Sequence, residues 1–173
     1  MKVVRKPKAN RPHMPGYGLA DAKGGKGLLS WRWAKERLEQ GRTYWIATAG
    51  FDARPHVMPI WGVWFNDAFF FSTGNQSRKA RNLAQNSRCS VATELDFTKR
   101  PKKDDIKDSV ILEGVAELIN DSRVRKKFSR LYEAKYAWDM DGFEEPIYRV
   151  LPNVVFGLTS EFNQTATRWR FDE

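Results

Sequence analysis

Residues 68 to 83, AFFFSTGNQSRKARNL, run from an apolar stretch through a turn rich in hydroxyls and amides into a segment opened by two adjacent cations. Ser77 is a good N-cap, and Ala80, Leu83 and Ala84 follow at the spacing of an inner stripe, so a helix is expected from Ser77 to about Asn86. Arg78 and Lys79 then fall in its first turn, where the helix dipole favours anions. A bound phosphate resolves the conflict. It takes the free backbone N–H groups, the hydroxyls of Ser72, Thr73 and Ser77, and charge-assisted hydrogen bonds from Arg78 and Lys79. A solvated basic face, with Arg78 and Arg81 three residues apart, is the other reading of the same residues.

Upstream, the pattern is of strands separated by turns. TYWIATA (43–49), the turn GFDAR, HVMPIWGVWF (56–65), the two-residue turn Asn66-Asp67 and AFFFST predict a meander of hairpins. These strands are apolar on both faces, which requires a helix, a cofactor or another subunit on each side. Inside HVMPIWGVWF, Pro59 lacks a ladder N–H and Gly62 lacks a side chain, so a bulge, a close ligand approach or a barrel corner is expected there. Before the meander, Ser30 caps a helix to about Gln40 that Gly41 ends.

Downstream, RCSVATEL reads as a strand, a charged loop covers 96–108, and SVILEGVAELI alternates cleanly. Val110, Leu112, Gly114, Ala116 and Leu118 point one way, and Glu113 and Glu117 the other. Asp121 caps a helix to about Trp138 with Val124, Phe128, Leu131 and Tyr132 on one face. IYRVL and VVFGL then read as a final strand pair, followed by the tail ATRWRFDE. Six or so antiparallel strands with interspersed helices predict an α+β, mostly antiparallel β-barrel with peripheral helices.

The 173 residues suit one domain, 28–173, preceded by a flexible, basic, Gly/Pro-rich arm or lid over 1–27. Net charge is +9, and residues 1–42 hold 11 Lys/Arg against 3 Asp/Glu, leaving 19 against 18 for the rest. The domain is nearly neutral and its leading segment basic, which suits an anionic ligand or a polyanion. No apolar run reaches membrane-spanning length and the first residues hold no signal core, so a cytoplasmic location is expected. The single cysteine, Cys89, reads as a small core residue. With only His13 and His56, no HExxH and no cysteine pair, no metal site is supported, and no GxSxG is present.

Five segments together carry a family resemblance: PGYG (15–18), LSWRWAKERL with YWIAT, RPHVMPIWGVWF (54–65), FSTGNQSRKARNL (71–83) and TRWRF (167–171). The chain resembles the pyridoxamine 5'-phosphate oxidase-like family of flavin-binding split β-barrels, especially the branch that includes deazaflavin-dependent enzymes. The resemblance implies FMN, or alternatively the deazaflavin coenzyme F-420. Its phosphate would be held by Ser77, Arg78 and Lys79 with Ser72 and Thr73 beside them, and its ring would lie along Pro59, Ile60, Trp61 and Gly62, with Trp169 of the tail also at the cofactor. It further implies a homodimer with the cofactor at the subunit interface, and an oxidoreductase that moves a hydride to or from a small organic molecule. No catalytic side chain is assigned. The tail TRWRFDE does not match the basic, proline-containing tail of a true pyridoxamine phosphate oxidase, so oxidation of that vitamin is not expected.

Two other functions compete. A flavin- or heme-binding barrel without turnover uses the same cradle, because a phosphate site does not by itself imply chemistry. A nucleic-acid module would use the basic arm with aromatic strands as stacking platforms. Residues 43–73 carry Arg54 as their only cation, whereas a backbone-tracking groove interleaves charge with rings, so nucleic acid is not expected as a partner.

Overall fold

The computed structural model describes residues 6–95 and 108–171, and the charged stretch 96–107 lies outside them. Along the described chain the order is β1 (Lys8–Asn10), α1 (Trp31–Gln40), β2 (Tyr44–Ala49), β3 (Pro55–Ile60), β4 (Gly62–Phe65), β5 (Ala68–Ser72), α2 (Arg78–Gln85), β6 (Arg88–Leu95), β7 (Asp108–Leu118), α3 (Ser122–Tyr136), β8 (Ile147–Leu158), α4 (Phe162–Thr165) and β9 (Thr167–Arg170). Every pairing is antiparallel, in the order β1-β9-β8-β7-β6-β2-β3, with β5 joining β4 to β8. This is the mostly antiparallel, α+β barrel that the sequence predicts.

The helices begin where side chains cap them. Ser30 accepts from the Trp33 N–H, Ser77 from Ala80, and Asp121 from both Arg123 and Val124, satisfying amides that a helix start leaves unpaired. Asn66 and Asp67, at φ 51° and 54°, make the tight turn between β4 and β5. Two core clusters result. Tyr44, Ile46, Phe69, Phe71, Val91, Leu112 and Trp169 fill the barrel, with Trp31 and Trp33 against them, while Val63, Phe65, Phe70 and Phe128 pack between β4–β5 and α3. Phe69 and Phe71 thus serve one cluster and Phe70 the other. Each fully buried ring contributes about 1.5–3 kcal/mol. The two apolar faces of β4 and β5 are therefore both covered by this same chain.

Several expectations are corrected. The stretch 56–65 is two strands: β3 pairs with β2, the chain breaks at Trp61, and β4 pairs with β5. Pro59 and Gly62 bracket the break, so their backbone peculiarities mark a change of partner strand. Residues 147–158, read as two strands, form one, because the extra residue near Asn153 is absorbed as a bulge opposite Glu113 and Gly114, and the Asn153 carbonyl accepts from Phe171. The tail supplies β9. Leu118, the last residue of β7, is 59% exposed although it shares the face of Leu112 and Ala116, and on α2 Asn82 is buried where Ala84 is exposed. The arm is not without regular structure. Its Lys8–Asn10 pairs with Arg168–Arg170, and the Arg11 guanidinium donates to the carbonyls of Ala20 (3.0 Å), Ala166 (2.8 Å), Lys26 (3.4 Å) and Gln164. Among the described residues no helix is long and apolar enough to cross a membrane.

Candidate functional site

The break at Trp61 opens a cleft of about 330 Å³ lined by Thr43, Pro59, Ile60, Trp61, Ser72, Thr73, Lys79 and Tyr132. The end of β3 supplies a wall with proline, isoleucine and indole surface. The C-terminal end of β5 and the first turn of α2 supply hydroxyls and an amine. Such a cleft is apolar along one side and cationic at one end.

Hydrogen-bond accounting identifies which donors at the cationic end are free. The Ser72 hydroxyl donates to the Pro146 carbonyl (2.7 Å) and Thr73 donates to Ser77 Oγ (3.0 Å). Ser77 Oγ already accepts from Thr73 and from the Ala80 N–H, so its own proton is uncommitted. The Arg81 N–H bonds Ser77 O, and the N–H groups of Arg78 and Lys79 have no acceptor among the described residues. The spendable donors are therefore two backbone amides, the Ser77 hydroxyl and the Lys79 amine, with Ser72 and Thr73 able to accept. Burial pushes the Lys79 amine below its ordinary range. His56 on β3 is pushed down as well, first by desolvation and then by the charges of Arg78 and Lys79.

The wall at Trp61 is held from behind by α3. Both backbone groups of Gly62 are spent there: its N–H donates to Tyr136 Oη (3.0 Å), and its carbonyl accepts from Lys135 Nζ (3.1 Å) and Tyr136 Oη (2.9 Å). Lys135 also donates to Tyr44 Oη (2.8 Å), whose hydroxyl in turn donates to the Leu38 carbonyl at the end of α1 (2.7 Å). Burial, aided by the charge of Arg42, pushes the Lys135 amine down to about 8. Burial, aided by Tyr132, pushes Tyr136 up to about 12 against the opposing Gly62 hydrogen bond and Arg42 charge. The Trp61 ring stacks on Tyr136 at 4.8 Å and 4°, with Trp138 edge-on at 5.9 Å. The indole that faces the cleft is thus fixed by ring contacts.

The family model described as pyridoxamine 5'-phosphate oxidase matches residues 32–160, which contain both the cleft and the α2 cradle. The chain belongs to the pyridoxamine 5'-phosphate oxidase family. Solved structures share the fold of this family member at low identity. A conserved hypothetical protein of Mycobacterium tuberculosis is 20% identical with a TM-score of 0.66, over 76% of this chain and 86% of that one. A FAD-binding protein of Mesorhizobium loti is 18% identical with a TM-score of 0.59, over 82% and 95%. The heme storage protein of Vibrio cholerae is 21% identical with a TM-score of 0.56, over 70% and 85%. No curated protein matches the chain by sequence.

Of the residues that the family resemblance points to, the cleft gathers Pro59, Ile60, Trp61, Ser72, Thr73 and Lys79. Ser77 stands behind Thr73 as the helix cap. Arg78 is turned away, one residue and about 100° round the helix from Lys79, into a separate groove with Arg81. Gly62 is buried and committed to α3, so it supports the wall without lining it. Trp169 is 1% exposed between Trp31 and Trp33; on β9 it points inward while its neighbours Arg168 and Arg170 do not, and it belongs to the core. Thr43 and Tyr132 line the cleft without having been picked out. Tyr132 carried a signal, a hydroxyl on the otherwise apolar face of Val124, Phe128 and Leu131. Cys89 is buried and its thiol is pushed up to about 12 by burial.

Proposed function

We propose that the cleft binds the ring and phosphate of FMN, or of the deazaflavin coenzyme, and that the protein is an oxidoreductase exchanging a hydride between that ring and a small organic molecule. One observation carries the reading: Ser72, Thr73 and the Lys79 amine stand at one end of a cleft whose side is Pro59, Ile60 and Trp61, with the Ser77 cap and the first turn of α2 directly behind them. That donor set suits a phosphate, and the flat apolar wall suits a tricyclic ring. When bound, the cofactor would supply the hydride chemistry. The chain's own residues bind and orient. Lys79 and the first turn of α2 fix the phosphate, Trp61 is held by Tyr136, and Lys135 keeps Gly62 in place behind it. Of the described lining side chains only Lys79 and Tyr132 titrate, and burial pushes Tyr132 up, so a protonated phenol faces the ligand at neutral pH beside the Lys79 amine.

The site is completed, in this reading, by a second copy of the chain. Trp45 and Val57 are 50% and 52% exposed on the outer face of β2 and β3, with Trp45 directly opposite Pro59 and Val57 opposite Ala47. Thr43 and Pro59 belong to both this face and the cleft, so an apolar partner seated here would close the cleft to water.

The test is titration of FMN and of the deazaflavin coenzyme, followed by the visible spectrum. Lys79→Ala removes one charge-assisted contact worth roughly 1.5–3 kcal/mol, so affinity should fall about ten- to a hundredfold. Equal affinities in wild type and Lys79→Ala would overturn the cradle. A cofactor-binding barrel without turnover is the second reading, favoured by a cleft lining that has no carboxylate, imidazole or thiol. It prevails if the loaded protein passes no electrons from NAD(P)H or reduced deazaflavin to quinone or nitroaromatic acceptors.

A further inference from the structure

A second groove lies on the other side of α2. It has a volume of about 380 Å³ and is lined by Gly50, Phe51 and Asp52 from the tip of the β2–β3 hairpin and by Arg78, Arg81, Asn82 and Gln85 from the helix. The four helical positions follow the spacing i, i+3, i+4, i+7, so they form one continuous stripe along the whole of α2. The core-facing residues Ala80 and Leu83 and the cleft-facing Lys79 are on other sides. This volume is within the range of small-molecule sites, about 300–1,000 Å³.

The chemistry of the groove is specific. Phe51 is 93% exposed, yet its backbone is fixed by an N–H bond to Gln85 Oε1 (2.9 Å), which presents a bare ring beside two guanidinium groups. Neither Arg78 nor Arg81 has a carboxylate partner among the described residues. Arg81 donates one N–H to the Gln76 carbonyl (3.1 Å) and keeps the rest of its fork. Asp52 accepts from the Arg54 N–H through Oδ1 (3.2 Å) and has Oδ2 to spare, while Gln85 retains both amide protons. Asn82 is held by its donation to Thr48 Oγ1 (3.0 Å). Gly50 forms the floor, where a Cβ would meet the Asn82 and Gln85 oxygens at 3.0 and 3.3 Å.

An exposed ring, a pair of unpaired arginines, a carboxylate and a free amide match the parts of a nucleotide in turn: base, phosphate, ribose hydroxyls and base edge. Arg78 in the groove and Lys79 in the cleft are consecutive residues, so the groove and the cleft adjoin at the first turn of α2. We propose that this groove binds a purine nucleoside monophosphate, the second half of a dinucleotide cofactor whose flavin half occupies the cleft. The inference rests on the flavin reading given above. It selects FAD over FMN by the contacts of Phe51 and Arg81, which the flavin half does not use.

The experiment compares FAD, FMN and AMP on wild type, Phe51→Ala and Arg81→Ala. Both side chains are exposed, and circular dichroism confirms that the variants fold. Wild type should bind FAD at least about tenfold more tightly than FMN. Each substitution should lower FAD affinity about tenfold and leave FMN affinity unchanged, and AMP should compete with FAD but not with FMN. If FMN binds and the FAD to FMN ratio is the same in all three proteins, the groove is not the nucleotide subsite. If neither flavin binds, the cleft reading fails. AMP titrated alone then decides the groove separately: binding lost in Arg81→Ala and Phe51→Ala supports it, and no AMP binding overturns it.

Discussion

Alanine at Gly62 should destabilise the protein through one steric conflict. A Cβ at this position would run into the tip of the Phe69 ring and lie 2.7 Å from the Phe70 carbonyl oxygen. Phe69 is fully buried and Phe70 is 1% exposed, so neither can give way without moving β5. Overpacking of a filled core costs about 1–3 kcal/mol, and because one of the colliding atoms is backbone, the upper end applies. At roughly 2–4 °C per kcal/mol for a domain of this length, Gly62→Ala should melt about 6–12 °C below wild type. Gly74→Ala is the control. Its nearest neighbour would be the Glu145 carboxylate at 3.7 Å, an ordinary contact, so its melting temperature should stay within about 2 °C. Calorimetry on the three proteins settles the matter, and a Gly62→Ala midpoint as close to wild type as that of Gly74→Ala would refute the packing argument.

Lys135 should leave a signature in pH. Burial lowers its amine to about 8 from 10.5, so between those values this amine binds more protons in the unfolded chain than in the folded one, and its contribution to stability rises with pH. Lys135→Met lacks that contribution. Denaturant unfolding at pH 7, 8 and 9 should show wild type gaining on the variant at each step, and a pH-independent difference would contradict the burial of the amine. Burial raises Cys89, Tyr44 and Tyr136, which act in the opposite sense, the thiol from about pH 9 and the phenols above about pH 10, their ordinary values. Trp45→Glu, on the outer face of β2, should convert a dimer to a monomer in sedimentation with little change in melting temperature, and a wild-type chain that is monomeric at micromolar concentration would remove the proposed interface.

What could be read from the sequence follows from how local the physics is. Helix starts at Ser30, Ser77 and Asp121 were legible because a cap is a matter of two or three neighbouring residues. That Ser72, Thr73 and Lys79 come together beside the Ser77 cap was legible for the same reason, since they lie within eight positions. Pairing was harder. Nothing in HVMPIWGVWF says that its first half joins β2 and its second half β5, because that depends on partners supplied by α3 and β8. The bulge near Asn153 hid the continuity of β8, as Pro152-Asn153 has turn composition. Trp169 was misplaced because a tail motif names a residue without giving the direction of its side chain. The Phe51–Arg81 groove was invisible because a hairpin tip and a helix flank, some thirty residues apart, meet only in three dimensions.

The pairing of Lys8–Asn10 with Arg168–Arg170 joins segments 158 positions apart, as the Arg168 to Asn10 hydrogen bond marks. Closing so long a loop is entropically expensive, and three residues of ladder offer few bonds in return. This edge should therefore be the last register to zip and the first to open in the native state. Amides of β1 and β9 would exchange with solvent well before those of β2 and β6. In the strand order it stands at one extreme and β3, with the cleft, at the other. The protein is arranged so that its ends can fray and reseal while the far edge, where the cleft lies, keeps its pairing.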